Sequence, residues 1–105
     1  MSEDSSSLYA KLLGETASIT WEELQPSFAR GALLRVAGDF DLIEAAQAVA
    51  RDDRDCVGAW LASGQLARLE AEQARDWLER DPPLWAVVVA PWVLVQERAT
   101  SPSLP

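Results

Sequence analysis

The chain has 105 residues, 49% of them hydrophobic, and carries 17 acidic against 9 basic side chains, for a net charge of −8 with no histidine. That hydrophobic content excludes an intrinsically disordered chain, and the length suits one compact domain. The negative field disfavours phosphate backbones and anionic membrane surfaces, and the missing histidine removes the commonest general base and a leading metal ligand.

In chain order, residues 1–6 read as a polar leader and residues 98–105 as a polar, proline-containing tail, both expected to be disordered; one domain is left over residues 7–97. Ser7 is placed to cap a first helix running to about Thr16, with Leu8, Leu12 and Leu13 as its apolar face. Thr20-Trp21-Glu22-Glu23 is a capping box, with Ile19 and Leu24 where a hydrophobic staple needs them. The second helix that it opens carries Trp21, Leu24 and Phe28 on one face, and Pro26 should bend or shorten it. Gly31 falls where the helix should end.

Residues 32–36 read as a strand. Asp39 is the expected cap of a third helix, whose stripe is Leu42, Ile43, Ala46, Val49 and Ala50. Asp52-Asp53 breaks that helix and opens a fourth, bearing Val57, Trp60 and Leu61 and ending at Gly64. Residues 65–69 read as a second, weaker strand. A fifth helix spans about Ala71 to Arg80 with Ala74, Trp77 and Leu78 inward, stopped by Asp81-Pro82-Pro83.

Residues 84–95 are twelve in a row without a charge or hydroxyl. The run is rich in valine and holds Pro91, which favours β structure over helix. It is expected to form two strands, 84–89 and 92–96, bent at Ala90-Pro91, or one strand bulged there. Apolar on both faces, it should be the centre of the core, so that a charge at Val88 would abolish folding. The fold class is α+β: about five helices packed on a small, mostly antiparallel sheet of three to four strands. A valine-rich strand in so small a sheet invites pairing across a two-fold axis, which favours a homodimer.

Chemistry-bearing constellations are scarce. Asp39, Asp41 and Glu44 with Asp52, Asp53 and Asp55 form a carboxylate cluster, but without loop spacing for Ca²⁺, and they suit helix starts. Cys56 has no histidine or lysine near it in sequence, and its flanking aspartates would raise its pKa, so it reads as a small buried hydrophobe. The five glycines are isolated, which excludes a phosphate-cradling loop. No catalytic, cofactor-binding or metal-binding residue is expected. Trp21, Trp60, Trp85 and Trp92 could line a ligand groove or an interface. Arg35 and Arg68, each in an expected strand, could point from one sheet face and hold an anionic or planar group beside a tryptophan.

A lone cysteine, the lack of a secretory leader and the lack of an apolar run long enough to cross a membrane favour the cytoplasm. Three segments carry a resemblance: Glu15-Thr16-Ala17 through Leu24, Asp41-Leu42 through Ala46, and above all Trp85-Ala86-Val87-Val88-Val89-Ala90-Pro91-Trp92-Val93-Leu94-Val95-Gln96, with Trp60 and Gly64 between them. On these the chain resembles an uncharacterised bacterial family of small proteins, a domain of unknown function, from which Pro26 and the polar tail depart. The resemblance implies a stand-alone cytoplasmic domain and assigns no catalytic residue. The reading that results is a cytoplasmic, non-enzymatic interaction or regulatory module. Its partner would be itself or another protein, not nucleic acid or a membrane. The alternatives are a small-molecule-binding protein with a Trp/Arg-lined pocket, or an enzyme of unrecognised type using Glu15, Glu23 or Glu44 as base.

Overall fold

The computed structural model describes residues 2–98, with side chains from Ser7 onward. Met1 and residues 99–105, which hold most of the expected C-terminal tail, lie outside the described residues. The elements run α1 (Ser2–Glu15), β1 (Ala17–Ile19), α2 (Trp21–Ala29), β2 (Leu33–Val36), α3 (Leu42–Ala50), α4 (Arg54–Ser63), β3 (Leu66–Arg68), α5 (Ala71–Arg80), β4 (Leu84–Val89) and β5 (Trp92–Glu97). The apolar run does form two strands joined at Ala90-Pro91, whose peptide bond is cis.

The sheet corrects the expected one. It has five strands in the order β1-β4-β5-β2-β3 and is mixed, because β2 lies parallel to β5 while the other three pairings are antiparallel. β1 escaped notice because it is three residues long and pairs only Ala17–Ala86, Ser18–Trp85 and Ile19–Leu84. The parallel pairing follows from burial. Leu33, Leu34 and Val36 are apolar on both faces of β2, so that strand needs a central position, beside β5.

Strand alternation divides the core in two. Leu34, Val36, Leu66, Val87 and Leu94 face α1, α3 and α4 and pack with Leu12, Leu42, Ile43 and Ala46. Leu33, Leu84, Ala86, Val93 and Val95 face α2 and α5 and pack with Trp21, Leu24, Ala74 and Trp77. The sheet is thus sandwiched between helices on both sides, as a strand apolar on both faces requires. At roughly 25 cal/mol per Å² of apolar surface, each large side chain sealed here contributes about 1.5–3 kcal/mol.

Local signals explain the helix boundaries. The capping box forms: the Glu23 N–H donates to the Thr20 hydroxyl at 3.2 Å and the Thr20 N–H to the Glu23 carboxylate at 3.0 Å. Despite Pro26, α2 continues to Ala29, where Gly31 follows at φ +71°. The cap of α3 is Asp41, not Asp39; its Oδ1 accepts the N–H groups of Ile43 and Glu44 at 2.9 and 3.3 Å. Asp41 Oδ2 also accepts the Tyr9 hydroxyl at 3.1 Å, tying α1 to α3 and raising the tyrosine pKa. The first helix begins at Ser2, ahead of the expected cap Ser7.

Several burial expectations fail. Leu13 of the α1 face is 55% exposed, and Ala50, at the end of the α3 stripe, is exposed as well. Three further failures have clear causes. Val88 is 61% exposed, because β1 stops pairing at Ala17–Ala86 and leaves the end of β4 with β5 on one side and solvent on the other. Leu78 is 60% exposed, since α5 buries its Ala74–Trp77 face instead. Cys56 is exposed in the first turn of α4, where its thiol hydrogen-bonds to Asp53, the main cause of its raised pKa.

Two polar devices lock the sheet to its surroundings. Gln96, 3% exposed, donates its side-chain N–H groups to the carbonyls of Ala37 and Phe40, and so fixes the loop from β2 to α3. On the other face the fully buried Trp77 donates its indole N–H to Glu97 Oε1 at 3.0 Å, and Arg80 spans Glu97 and Asp76 at 2.9 and 2.6 Å. Arg80 holds both carboxyls below the usual carboxylate range, with the Trp77 bond adding to the effect at Glu97.

Candidate functional site

A pocket opens where α4 stands off the sheet. The chain leaves α3 through Asp52, at φ +56°, and Asp53 caps α4 by accepting the Cys56 N–H at 3.2 Å. At the far end Gly64, at φ +87°, turns the chain into β3. Arg54, Val57, Gly58 and Leu61 recur at spacings of three, one and three residues and so share one face of α4. That face is too sparse to seal against the sheet: no side chain of α4 is fully buried, and a Cβ added at Gly58 would meet nothing within 4 Å.

The resulting cavity has a volume of about 360 Å³. Leu34 of β2 and Leu66 of β3 form its floor, Val49 closes the α3 side, and Val57, Gly58 and Leu61 roof it. Trp92 of β5 and Arg68 of β3 make the remaining wall, and Asp52, Asp53 and Arg54 stand at the rim. The Arg68 guanidinium carbon lies 5.6 Å from the centroid of the Trp92 ring, a cation–π arrangement. The cavity is therefore apolar inside with charge confined to one wall and the rim, the usual pattern of a small-molecule pocket.

Of the six candidate residues named from sequence, only Trp92 and Arg68 meet at this cavity. Trp21 belongs to the core of the α2/α5 side, its ring 5.5 Å from Phe28 and 6.3 Å from Trp77. Trp60 is half-buried against Phe40, ring centroids 4.8 Å apart, and helps hold α4 to the loop before α3. Trp85 is half-buried beneath Arg98, whose guanidinium carbon sits 5.2 Å above its ring. Arg35 pairs across the sheet with Ala67, so it and Arg68 project from opposite faces, not from the same one as expected. Arg35 borders a second, open cleft with Glu70, Glu72, Gln73 and Asp76, which Arg68 on the edge strand β3 also reaches.

The alternative bases do not converge. Glu23 is spent in the capping box, Glu44 lies exposed in the first turn of α3 and Glu15 ends α1. Among the described residues no group of three or more His, Cys, Asp or Glu side chains is arranged to hold a metal ion. None of the described helices is long and apolar enough to cross a membrane. Sequence reasoning missed Val49, Val57, Gly58 and Leu61 as pocket lining. The available signal was the glycine on the apolar face of α4, which thins that face where it meets the sheet.

Comparison with known proteins fits this fold. Among curated proteins none matches the chain. The NMR solution structure of PA1075 from Pseudomonas aeruginosa is similar over 100% of this chain and 97% of that one, with 61% sequence identity and a TM-score of 0.80. A family model described as protein of unknown function (DUF2288) matches residues 7–97. Spanning nearly all of the described residues, that match places the chain in the DUF2288 family, to which it belongs.

Proposed function

We propose that the protein is a non-enzymatic, cytoplasmic module that binds a small molecule in the pocket between α4 and the sheet. The observation that carries this reading is the cavity itself: about 360 Å³, walled by aliphatic side chains, with the Arg68–Trp92 cation–π pair at its side. That volume lies at the small end of the range for ligand pockets. The reading is further supported by where the carboxylates go. At the rim Asp52 pairs with Arg54, and Asp53 caps α4 while its carboxylate also holds the exposed Cys56 thiol in its raised-pKa, protonated form.

A homodimer built by sheet pairing has weak support. The valine-rich strands β4 and β5 are internal, and the edges are the three-residue strands β1 and β3. A titration of ¹⁵N-labelled protein with neutral aromatic fragments tests the pocket reading. Amide shifts should concentrate at Leu34, Val57, Leu61, Leu66 and Trp92. Shifts spread evenly over the surface, or none at millimolar fragment, would remove it.

A further inference from the structure

Resting on that reading of the pocket, the geometry points to a small monocarboxylate with an apolar body as the class of molecule it takes, its carboxylate at Arg68 and its body against Leu66 and Val57. Four charged side chains border the cavity, and three are already engaged. Asp52 pairs with Arg54 at 3.4 Å, and Asp53 is committed to capping α4. Arg68 differs: among the described residues its side chain makes no ion pair and no hydrogen bond, and its specific contact is the face of Trp92. The carboxylates of Glu70, Glu72 and Asp76 line the neighbouring cleft that it also borders. A guanidinium over an indole face makes no hydrogen bond to it, so its five N–H donors stay available to a ligand. A carboxylate takes two of them in parallel, which fixes its orientation.

The rest of the lining excludes other chemistries. A cationic head would meet Arg68 and find both rim carboxylates occupied. A second charge on the ligand would be pressed against Leu34, Leu66 and Val49, where nothing could solvate it. The apolar walls accept an alkyl or aryl body, and Trp92 offers a flat face to the latter.

The test uses the full chain and three matched probes: 4-phenylbutyrate, its amide and 4-phenylbutylamine, each titrated into ¹⁵N-labelled protein. The acid should bind about tenfold more tightly than the amide, as expected for hydrogen bonds to a charged group, and the amine more weakly than the amide. Arg68→Met should abolish the advantage of the acid over the amide, and Arg68→Lys should restore part of it. Both side chains replace an exposed one, and an unchanged thermal midpoint confirms that the variants fold. Equal affinity for acid and amide would overturn the carboxylate assignment while leaving the pocket reading intact. No shift at Val57, Leu66 or Trp92 with any probe would overturn both.

Discussion

Helices α3 and α4 are neighbours on the same side of the sheet and nearly equal in length, nine and ten residues, yet they pack in opposite ways. The stripe of α3 (Leu42, Ile43, Ala45, Ala46 and Ala48) is fully buried, and small alanines let the helix approach the strands closely. The face of α4 offers Val57, Gly58 and Leu61 between charged or small residues and buries none of them. Hydrophobic content thus sets not only whether a helix forms but how far it stands from what it covers. A helix that is half a cover leaves room beneath it, and here the room is the pocket.

The contrast is open to direct attack by mutation. Leu42→Ala in α3 should cost about 2–5 kcal/mol, the range for deleting a fully buried leucine, whereas Leu61→Ala in α4 should cost less than about 1 kcal/mol. Urea melts of the two variants against the parent check this, and similar losses would mean that α4 is packed as α3 is. At the exposed end of β4, Val88→Asp should give soluble protein with a cooperative melt, destabilised by no more than about 1 kcal/mol through lost strand propensity. Failure to fold would show that this valine is covered after all.

Gly58→Ala has the opposite sign. The site is helical and its added methyl meets no neighbour, so the variant should gain about 0.5–1 kcal/mol from the helix interior alone. A loss would show the roof of the pocket already in contact with its floor. The smallest effect is set by pH. The folded pKa of Glu97 lies below its unfolded value because Arg80 and the Trp77 indole favour the ionised form. Its contribution is complete above the unfolded range, near 4.3, and fades as pH falls through the folded value. Glu97→Gln should therefore be less stable than the parent near neutrality, with the gap closing below about pH 4. A gap that is constant from neutral to acid would place the role of Glu97 outside its charge.

Much of this was legible in the sequence, and what was not has a physical cause. The capping box at Thr20, the boundaries of α5 and the two strands flanking Ala90-Pro91 are local signals, complete within a few residues. The parallel pairing of β2 with β5 is not local. It joins Leu33 to Val93 and Val36 to Gln96 across sixty residues, and nothing in either strand names its neighbour. β1 is shorter than any pattern that alternation could reveal. The cap of α3 moved from Asp39 to Asp41 because the loop between them is set by Gln96, a residue distant in sequence. For the same reason Trp92 and Arg68 could be named as recognition residues, while their meeting at one cavity depended on the strand order that places β2 between them. Trp21 and Trp60, equally conspicuous in composition, are packing residues against Trp77 and Phe40.

The difference between the two helices is measured most directly by native-state hydrogen exchange, resolved amide by amide. If α4 is an incompletely packed cover, its amides from Val57 to Ser63 should exchange through local opening. That opening should lie several kcal/mol below the cost of global unfolding, while amides from Ala45 to Val49 in α3 exchange only when the whole molecule unfolds. Equal protection of the two helices would contradict the account, since it would mean that α4 is held as firmly as α3 and that the space beneath it is no accessible pocket.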